Sequence, residues 1–328
     1  MLFGVGDHSG QLPEGAASSH QRLYAELQDQ AEVIEQVGLD SMWLSDHHFA
    51  EDGYMPSVLV IAAALLGRTE RITVATDRLS ASLQNPIRLA EDAIALDLLS
   101  GGRFVLGLSL CYRDEEFRGY GVDRAIDASR LEAMVPLLRA AFLDQPLRSG
   151  GPAFDVPEVR VTPPPFTPGG PKIMIAGDGL EGAVRSARLA DMMMIDPTEP
   201  WAYVDRAVAL YDETRGDHKG PLVLFIYGAL SPDGADAAWR EVADGFRYMR
   251  HTYDRWMGKP PTQELPPAHY RLLLGTPAEV ADQAAEYTRR YGDRVHLVLR
   301  CNYPGMAHEA VTNQLRLWGE AAAIARSS

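Results

Sequence analysis

Gly38–Phe49 reads GLDSMWLSDHHF. Its first half, Ser41–Ser45, is an apolar run with the length and composition of a buried strand, and Asp46, His47 and His48 follow without a break. In an α/β barrel, catalytic groups project from the C-terminal ends of parallel strands. An apolar strand that delivers titratable side chains is what the active end of such a barrel shows. Imidazole is the side chain best suited to proton transfer near neutral pH. Two of them beside an aspartate make an acid–base or metal-binding cluster; otherwise one packs into the core and the other caps the next segment.

Outward from this stretch, β-rich runs alternate with amphipathic helical patterns, the sign of a parallel sheet with crossover helices. Leu2–Gly6 reads as the first strand. Ser18–Val37 reads as the first helix, with Leu23, Leu27, Ala31, Ile34 and Val37 at helical spacing and Gly38 as its stop. Further strands are expected at Arg71–Thr76, Arg103–Leu108, Pro171–Ala176, Met192–Ile195, Leu222–Tyr227 and Val295–Leu299. Helices are expected at Pro56–Leu66, Pro86–Leu99, Ala128–Phe142, Glu181–Ala190, Pro200–Thr214, Ala235–Thr252, Pro277–Tyr291 (Thr276 as N-cap) and within Gly305–Arg326. This rhythm predicts an α/β chain folded as a single (β/α)8 TIM barrel over residues 1–328, with insertions after strands four and seven. Ser109–Asp123 is the polar, aromatic insertion after strand four. Asp144–Gly170, rich in Pro and Gly, reads as a surface excursion with short strands at Phe154–Val156 and Val159–Val161. Tyr253–Leu273 is a candidate lid, since loops this long are usually functional or disordered. The helix at Pro56–Leu66 is apolar nearly all round, which points to a subunit contact and a homodimer.

Bulk properties narrow the partners. The 328 residues are 46% hydrophobic and 23% charged, the balance of a globular chain with a large core. A net charge of −14 argues against nucleic acid or an anionic membrane as the main partner. Cys111 and Cys301 are far apart and give no disulfide framework, which fits a reducing cytosol. Leu2–Gly6 lacks a secretory pattern, and no run approaches the ~18 apolar residues of a membrane helix, so a cytoplasmic protein is expected.

Several stretches, in order and at barrel spacing, resemble the bacterial-luciferase-like flavin-dependent oxidoreductases over most of the chain. They are SDHHF at Ser45–Phe49, NPIRLAED at Asn85–Asp92, LLSGGRFVLG at Leu98–Gly107, YRDEEFRGYGVD at Tyr112–Asp123, GTPAEVADQ at Gly275–Gln283 and YPGM at Tyr303–Met306. The resemblance implies a barrel that binds reduced FMN, or in one branch a deazaflavin coenzyme, at its C-terminal end. It implies dioxygen and a small organic substrate as reactants, and a separate flavin reductase as partner. His47 then aligns with the catalytic histidine, with Asp46 or His48 fixing its tautomer. Thr76 and Asp77, at the end of strand three, and Ser109, where luciferases often carry a thiol, fall beside the flavin. Arg130 resembles a phosphate-binding arginine, and the turn Gly177-Asp178-Gly179-Leu180 enters helix five where the FMN phosphate is received; a helix N-terminus is a natural anion site. His8, His48, Tyr112 and Tyr227 are the expected substrate contacts. Two departures stand out: Leu110 sits where the family often has an arginine, and Asp77-Arg78 where it often has small residues and a cis peptide.

Other readings compete. A deazaflavin-dependent oxidoreductase would transfer hydride on the same fold. Asp7, His8, Asp46, His47, His48 and Asp77 near strand ends could hold a divalent metal for hydrolysis, although there is no HxH pair on the first strand. A barrel with a degraded flavin site could serve as a non-catalytic subunit. Cofactor binding, or activity lost to a chelator, separates these.

Overall fold

The computed structural model describes all residues except 178, 196–198, 267–269 and 328, together with the side chain of residue 7. Eight parallel strands close into a barrel: β1 Leu2–His8, β2 Ser41–Leu44, β3 Thr73–Thr76, β4 Phe104–Ser109, β5 Lys172–Ala176, β6 Met192–Ile195, β7 Leu222–Leu230 and β8 Val295–Arg300. They run in sequence order around the ring. β8 pairs with β1 (Phe3 opposite Leu297) and β6 with β7 (Leu224 opposite Ile195), so the barrel has no open edge between its strands. The expected (β/α)8 architecture is therefore the observed one.

Local chemistry explains the elements. Helix α1 (His20–Gln36) opens on Ser19, whose side chain accepts from the Arg22 N–H, and Gly38 takes φ +79 just beyond its end. Helix α2 is Val58–Arg68, and α3 (Pro86–Ser100) opens on Asn85, which accepts from the N–H groups of Ile87 and Arg88. Gly107 is required by close approach: a Cβ there would lie 2.0 Å from the Thr76 carbonyl oxygen. The Thr76 hydroxyl instead donates to the Gly107 carbonyl (2.9 Å) and accepts from its N–H (2.8 Å), tying β3 to β4.

Several expected boundaries change. The insertion after β4 contains a short helix, α4 (Asp114–Tyr120), with three acids in its first turn and Gly121 at its left-handed end. Acids at a helix N-terminus and a glycine past its C-terminus are the signals for it. The remaining helices are α5 Asp127–Phe142, α6 Gly179–Leu189, α7 Trp201–Arg215, α8 Ala235–Trp256, α9 Pro277–Tyr291 and α10 His308–Ser327. In the surface excursion, Leu147–Gly150 pairs antiparallel with Asp155–Val159, so a single strand stands where two were expected and its partner lies ahead of both. Gly67 does not close the second helix, which runs on to Arg68. The end of the candidate lid is a strand, Leu272–Gly275, that adds parallel to β7. Arg88 pairs with Asp92 (2.7 Å) more closely than with Glu91 (4.0 Å). Among the described residues no helix is long and apolar enough to cross a membrane.

Candidate active site

The C-terminal ends of the strands surround a cavity of about 740 Å³, within the range of small-molecule and cofactor sites. His47, just past β2, lines it and is 9% exposed. Its ring is held edge-on by Tyr54 and Trp256 (centroids 4.8 Å each) and Tyr112 (5.2 Å). Those three side chains come from the segment after β2, from the end of α8 and from the β4 insertion, so three separate segments converge on one imidazole.

The imidazole has a partner at each nitrogen. Nδ1 lies 2.9 Å from Glu116 Oε1, and Nε2 lies 3.1 Å from the Tyr112 hydroxyl. Burial alone would raise the Glu116 carboxyl, but the His47 ring, the His48 N–H and the Cys111 thiol outweigh it and hold the carboxyl down at about 2. An ionised carboxylate only accepts, so Nδ1 carries the proton and donates it. Nε2 of the neutral ring is then the acceptor for Tyr112. That phenol stays protonated, because burial chiefly, then the neighbouring Tyr253 and Glu116, push its pKa well above 10.

Glu116 itself is fully buried and fully used. Oε1 also accepts from the His48 N–H (2.9 Å) and Arg113 Nη1 (3.1 Å), and Oε2 from Cys111 Sγ (3.1 Å). Arg113 lies over the Trp256 ring at 4.2 Å and is itself buried. Burial, and donation to Glu116, push the Cys111 thiol up to about 12. It is therefore a protonated hydrogen-bond donor at neutral pH and not a reactive thiolate. Sequence reasoning passed over Glu116. The run Asp114-Glu115-Glu116 offers three acids, and only the phase of α4 decides that the third turns inward while Asp114 and Glu115 stay exposed.

Of the other expected site residues, Asp77, Ser109, Tyr112 and Tyr227 line the cavity with His47. Ser109 donates to the Arg78 carbonyl (2.9 Å), and the peptides around Asp77 and Arg78 are trans. Tyr227 stacks on Tyr270 at 6.2 Å. His48 is buried behind His47, with Nδ1 3.0 Å from the Tyr120 hydroxyl and Nε2 3.4 Å from Asp46 Oδ2. His8 ends β1 and borders a separate hollow of about 60 Å³. The hydroxyl of Thr76 is spent on Gly107, as above, so it serves the sheet rather than a ligand. Arg130 is likewise spent: Nε donates to the Ser82 carbonyl (2.7 Å), Nη1 to Ala153 (2.9 Å) and Nη2 to Gln84 (3.3 Å), with the guanidinium over Phe154. The expected phosphate arginine is in fact a brace between the loop after β3 and the surface hairpin. Gly177 follows β5 and donates to the Met194 carbonyl (2.8 Å). Gly179 (φ +73) and Leu180 open α6 beyond the cavity lining, and Asp178 lies outside the described residues. Cations come instead from Arg78, Arg124, Arg250 and Lys259, which line the cavity. Arg124 pairs with Asp114, and Arg250 with Asp254 (2.7 Å). Among the described residues no three His, Cys, Asp or Glu side chains converge as a metal site would need.

A family model described as luciferase-like monooxygenase matches residues 2–294. Among curated proteins, the alkanal monooxygenase alpha chain of the Kryptophanaron alfredi symbiont is 28% identical over 204 residues, 58% of this chain and 56% of that one. The alkanal monooxygenase beta chain of Vibrio harveyi is 25% identical over 74% of this chain and 78% of that one. For the first of these, the chain spans about half the length of the relative it matches. Among solved structures, the monooxygenase RslO1 from Streptomyces bottropensis superposes with TM-score 0.84 at 20% identity, covering 98% of both chains. The oxygenating constituent of 3,6-diketocamphane monooxygenase from Pseudomonas putida, in complex with FMN, gives 0.78 at 16% identity over 97% and 96%. An F420-dependent secondary alcohol dehydrogenase gives 0.78 at 15% identity over 99% of both.

Proposed function

The chain belongs to the luciferase-like monooxygenase family, and from that membership we propose a flavin-dependent monooxygenase that uses reduced FMN and dioxygen to oxygenate a small, largely apolar organic substrate. A separate reductase would supply the reduced flavin. The observation that carries this reading is the hydrogen-bonded chain from buried Glu116 through buried His47 to Tyr112, facing a cavity of about 740 Å³. The residues present fit a flavin. Phe225, Tyr227 and Tyr270 offer flat apolar walls, and Arg78 and Lys259 offer cations to a phosphate. The start of α6, at Gly179 and Leu180, is a second candidate for the phosphate, because N–H groups at a helix start favour an anion. Asp77 and Ser109 would border the ring. When bound, reduced flavin supplies the two electrons that activate dioxygen.

The chain's own residues do the rest. Glu116 fixes His47 in the Nδ1-protonated tautomer, leaving Nε2 to hold or take one proton through the Tyr112 hydroxyl. The rings of Tyr54, Tyr112 and Trp256 hold the imidazole edge-on in that orientation. His47→Ala should retain FMN binding, read by fluorescence quenching, and lose about 10²–10⁴ in turnover. Unchanged turnover would overturn the role. The second reading is a deazaflavin-dependent oxidoreductase, to which the cations Arg78 and Lys259 would present themselves for an acidic coenzyme tail. Titrating the purified chain with FMN and with the deazaflavin coenzyme decides between them: quenching by the deazaflavin alone favours the second.

A further inference from the structure

We propose that Asp46, His48 and Tyr120 form a proton path from the cavity to solvent, separate from the Glu116–His47–Tyr112 chain. The proposal rests on the oxygenase reading above and adds residues that reading does not use. Asp46 lines the cavity and is 2% exposed, yet neither carboxylate oxygen has a hydrogen-bond donor among the described residues. Buried carboxylate oxygens are ordinarily hydrogen-bonded, so this one is the open inner end of a chain. His48 Nε2 stands 3.4 Å from Asp46 Oδ2, and the Tyr120 hydroxyl stands 3.0 Å from Nδ1 and 3.5 Å from Nε2 of the same ring. Tyr120 is 43% exposed, at the end of α4. The chain thus has a buried carboxylate at its cavity end, a bifunctional imidazole in the middle and a solvent-exposed phenol at its outer end. The Asp46–His48 contact does not have hydrogen-bond geometry in this structure; catalytic contacts often align and tighten only when a site is loaded.

The proton balance is simple. Tyr120 gives its hydroxyl proton to Nδ1 and takes one from water. Nε2 gives its proton to Asp46, which then holds a proton inside the cavity. The reverse sequence exports one, and no electron moves. Oxygenation needs a proton supply, because one atom of dioxygen leaves as water. A flavin hydroquinone arriving as its anion brings one proton fewer than that water takes up. The other charged groups that face His48 are Glu116, which accepts its backbone N–H, and Arg113, whose Nη1 donates to its carbonyl. Both hold the backbone, leaving the ring to the path. Phe49, tilted against the ring at 6.2 Å, adds packing and no charge.

Two readouts test the path, one without flavin. In the flavin-free protein, the ring nitrogen resonances of His48 should shift in both Asp46→Asn and Tyr120→Phe; resonances that ignore either change break the path. With chemically reduced FMN bound, reoxidation by dioxygen should slow about tenfold or more in His48→Gln and recover when imidazole buffer is raised, while the unaltered protein stays indifferent to buffer. A slow variant that imidazole does not rescue, or one as fast as the parent, overturns the relay. Should the unaltered chain bind no flavin, the oxygenase reading fails by itself, and the resonances still decide whether the three groups are coupled.

Discussion

At the scale of single residues, two buried groups titrate in separate windows and so can be told apart. His296, at the start of β8, lies under the barrel, where its Nε2 is hydrogen-bonded to the Ser41 hydroxyl (2.8 Å) and Trp43 Nε1 donates to Ser41 (2.7 Å). Burial chiefly drives the His296 imidazole from 6.5 down to about 4. A folded value below the unfolded one means that stability is complete above pH 6.5 and is lost as pH falls toward 4. Linkage puts that loss on the order of 3 kcal/mol. Urea midpoints at pH 7 and pH 4.5 should differ far less in His296→Gln than in the parent; equal losses would refute the assignment. Glu116, lowered from 4.5 to about 2, acts later: its contribution is intact above pH 4.5 and disappears between there and 2. Glu116→Gln should cost about 1–3 kcal/mol, since it weakens hydrogen bonds to a buried charge, and should also depress turnover by freeing the His47 tautomer. A variant with full activity would mean that Glu116 only braces the fold. His47 was legible in the sequence because an apolar strand ran straight into it. Glu116 was not, since which of three consecutive acids faces inward depends on a helix phase that one short turn does not reveal.

Elements were legible where local signals were strong. β6 and α9 begin and end where the pattern places them, and α9 carries the expected Thr276 cap, with Glu279 completing a capping box. The segment Tyr253–Leu273 was harder to read. α8 continues to Trp256 because Tyr253 and Trp256 pack around His47, a tertiary contact that no local propensity encodes. Beyond it, Asp254 anchors the chain by accepting from the Thr262 N–H (2.9 Å) and hydroxyl (2.7 Å) while pairing with the cavity-lining Arg250. One carboxylate therefore ties the candidate lid to the cavity wall. Its carboxyl is held low because the hydrogen bonds from Arg250 and Thr262 outweigh the opposing effect of burial. Asp254→Asn should speed limited proteolysis between residues 258 and 266 and lower the unfolding free energy from urea titration by about 1.5–3 kcal/mol. In the parent, adding reduced flavin should slow the same cleavage if the segment closes over its ligand. Identical digestion with and without flavin would leave it a surface loop.

Closure of the whole molecule was readable from the alternation of strands and helices, because a parallel sheet buried on both sides leaves that rhythm in any sequence. What covers the outside is a separate question, and α2 poses it most directly. Val60, Ala64 and Gly67 recur at i, i+4 and i+7 and all face outward, with Val60 69% exposed. A surface helix ordinarily turns charged residues outward and apolar ones inward; α2 offers apolar or small residues on both faces. Its neighbour α3 ends in Leu98 and Leu99, the latter 71% exposed. We infer that a second copy covers this face, since small residues at Ala64 and Gly67 let two helices approach closely and Val60, Leu98 and Leu99 add exposed apolar area on the two neighbouring helices. Light scattering should give the mass of a dimer for the parent and of a monomer for Val60→Asp, with unchanged circular dichroism because the site is on the surface. A parent that is monomeric at micromolar concentration would remove the homodimer and leave the exposed stripe to another partner.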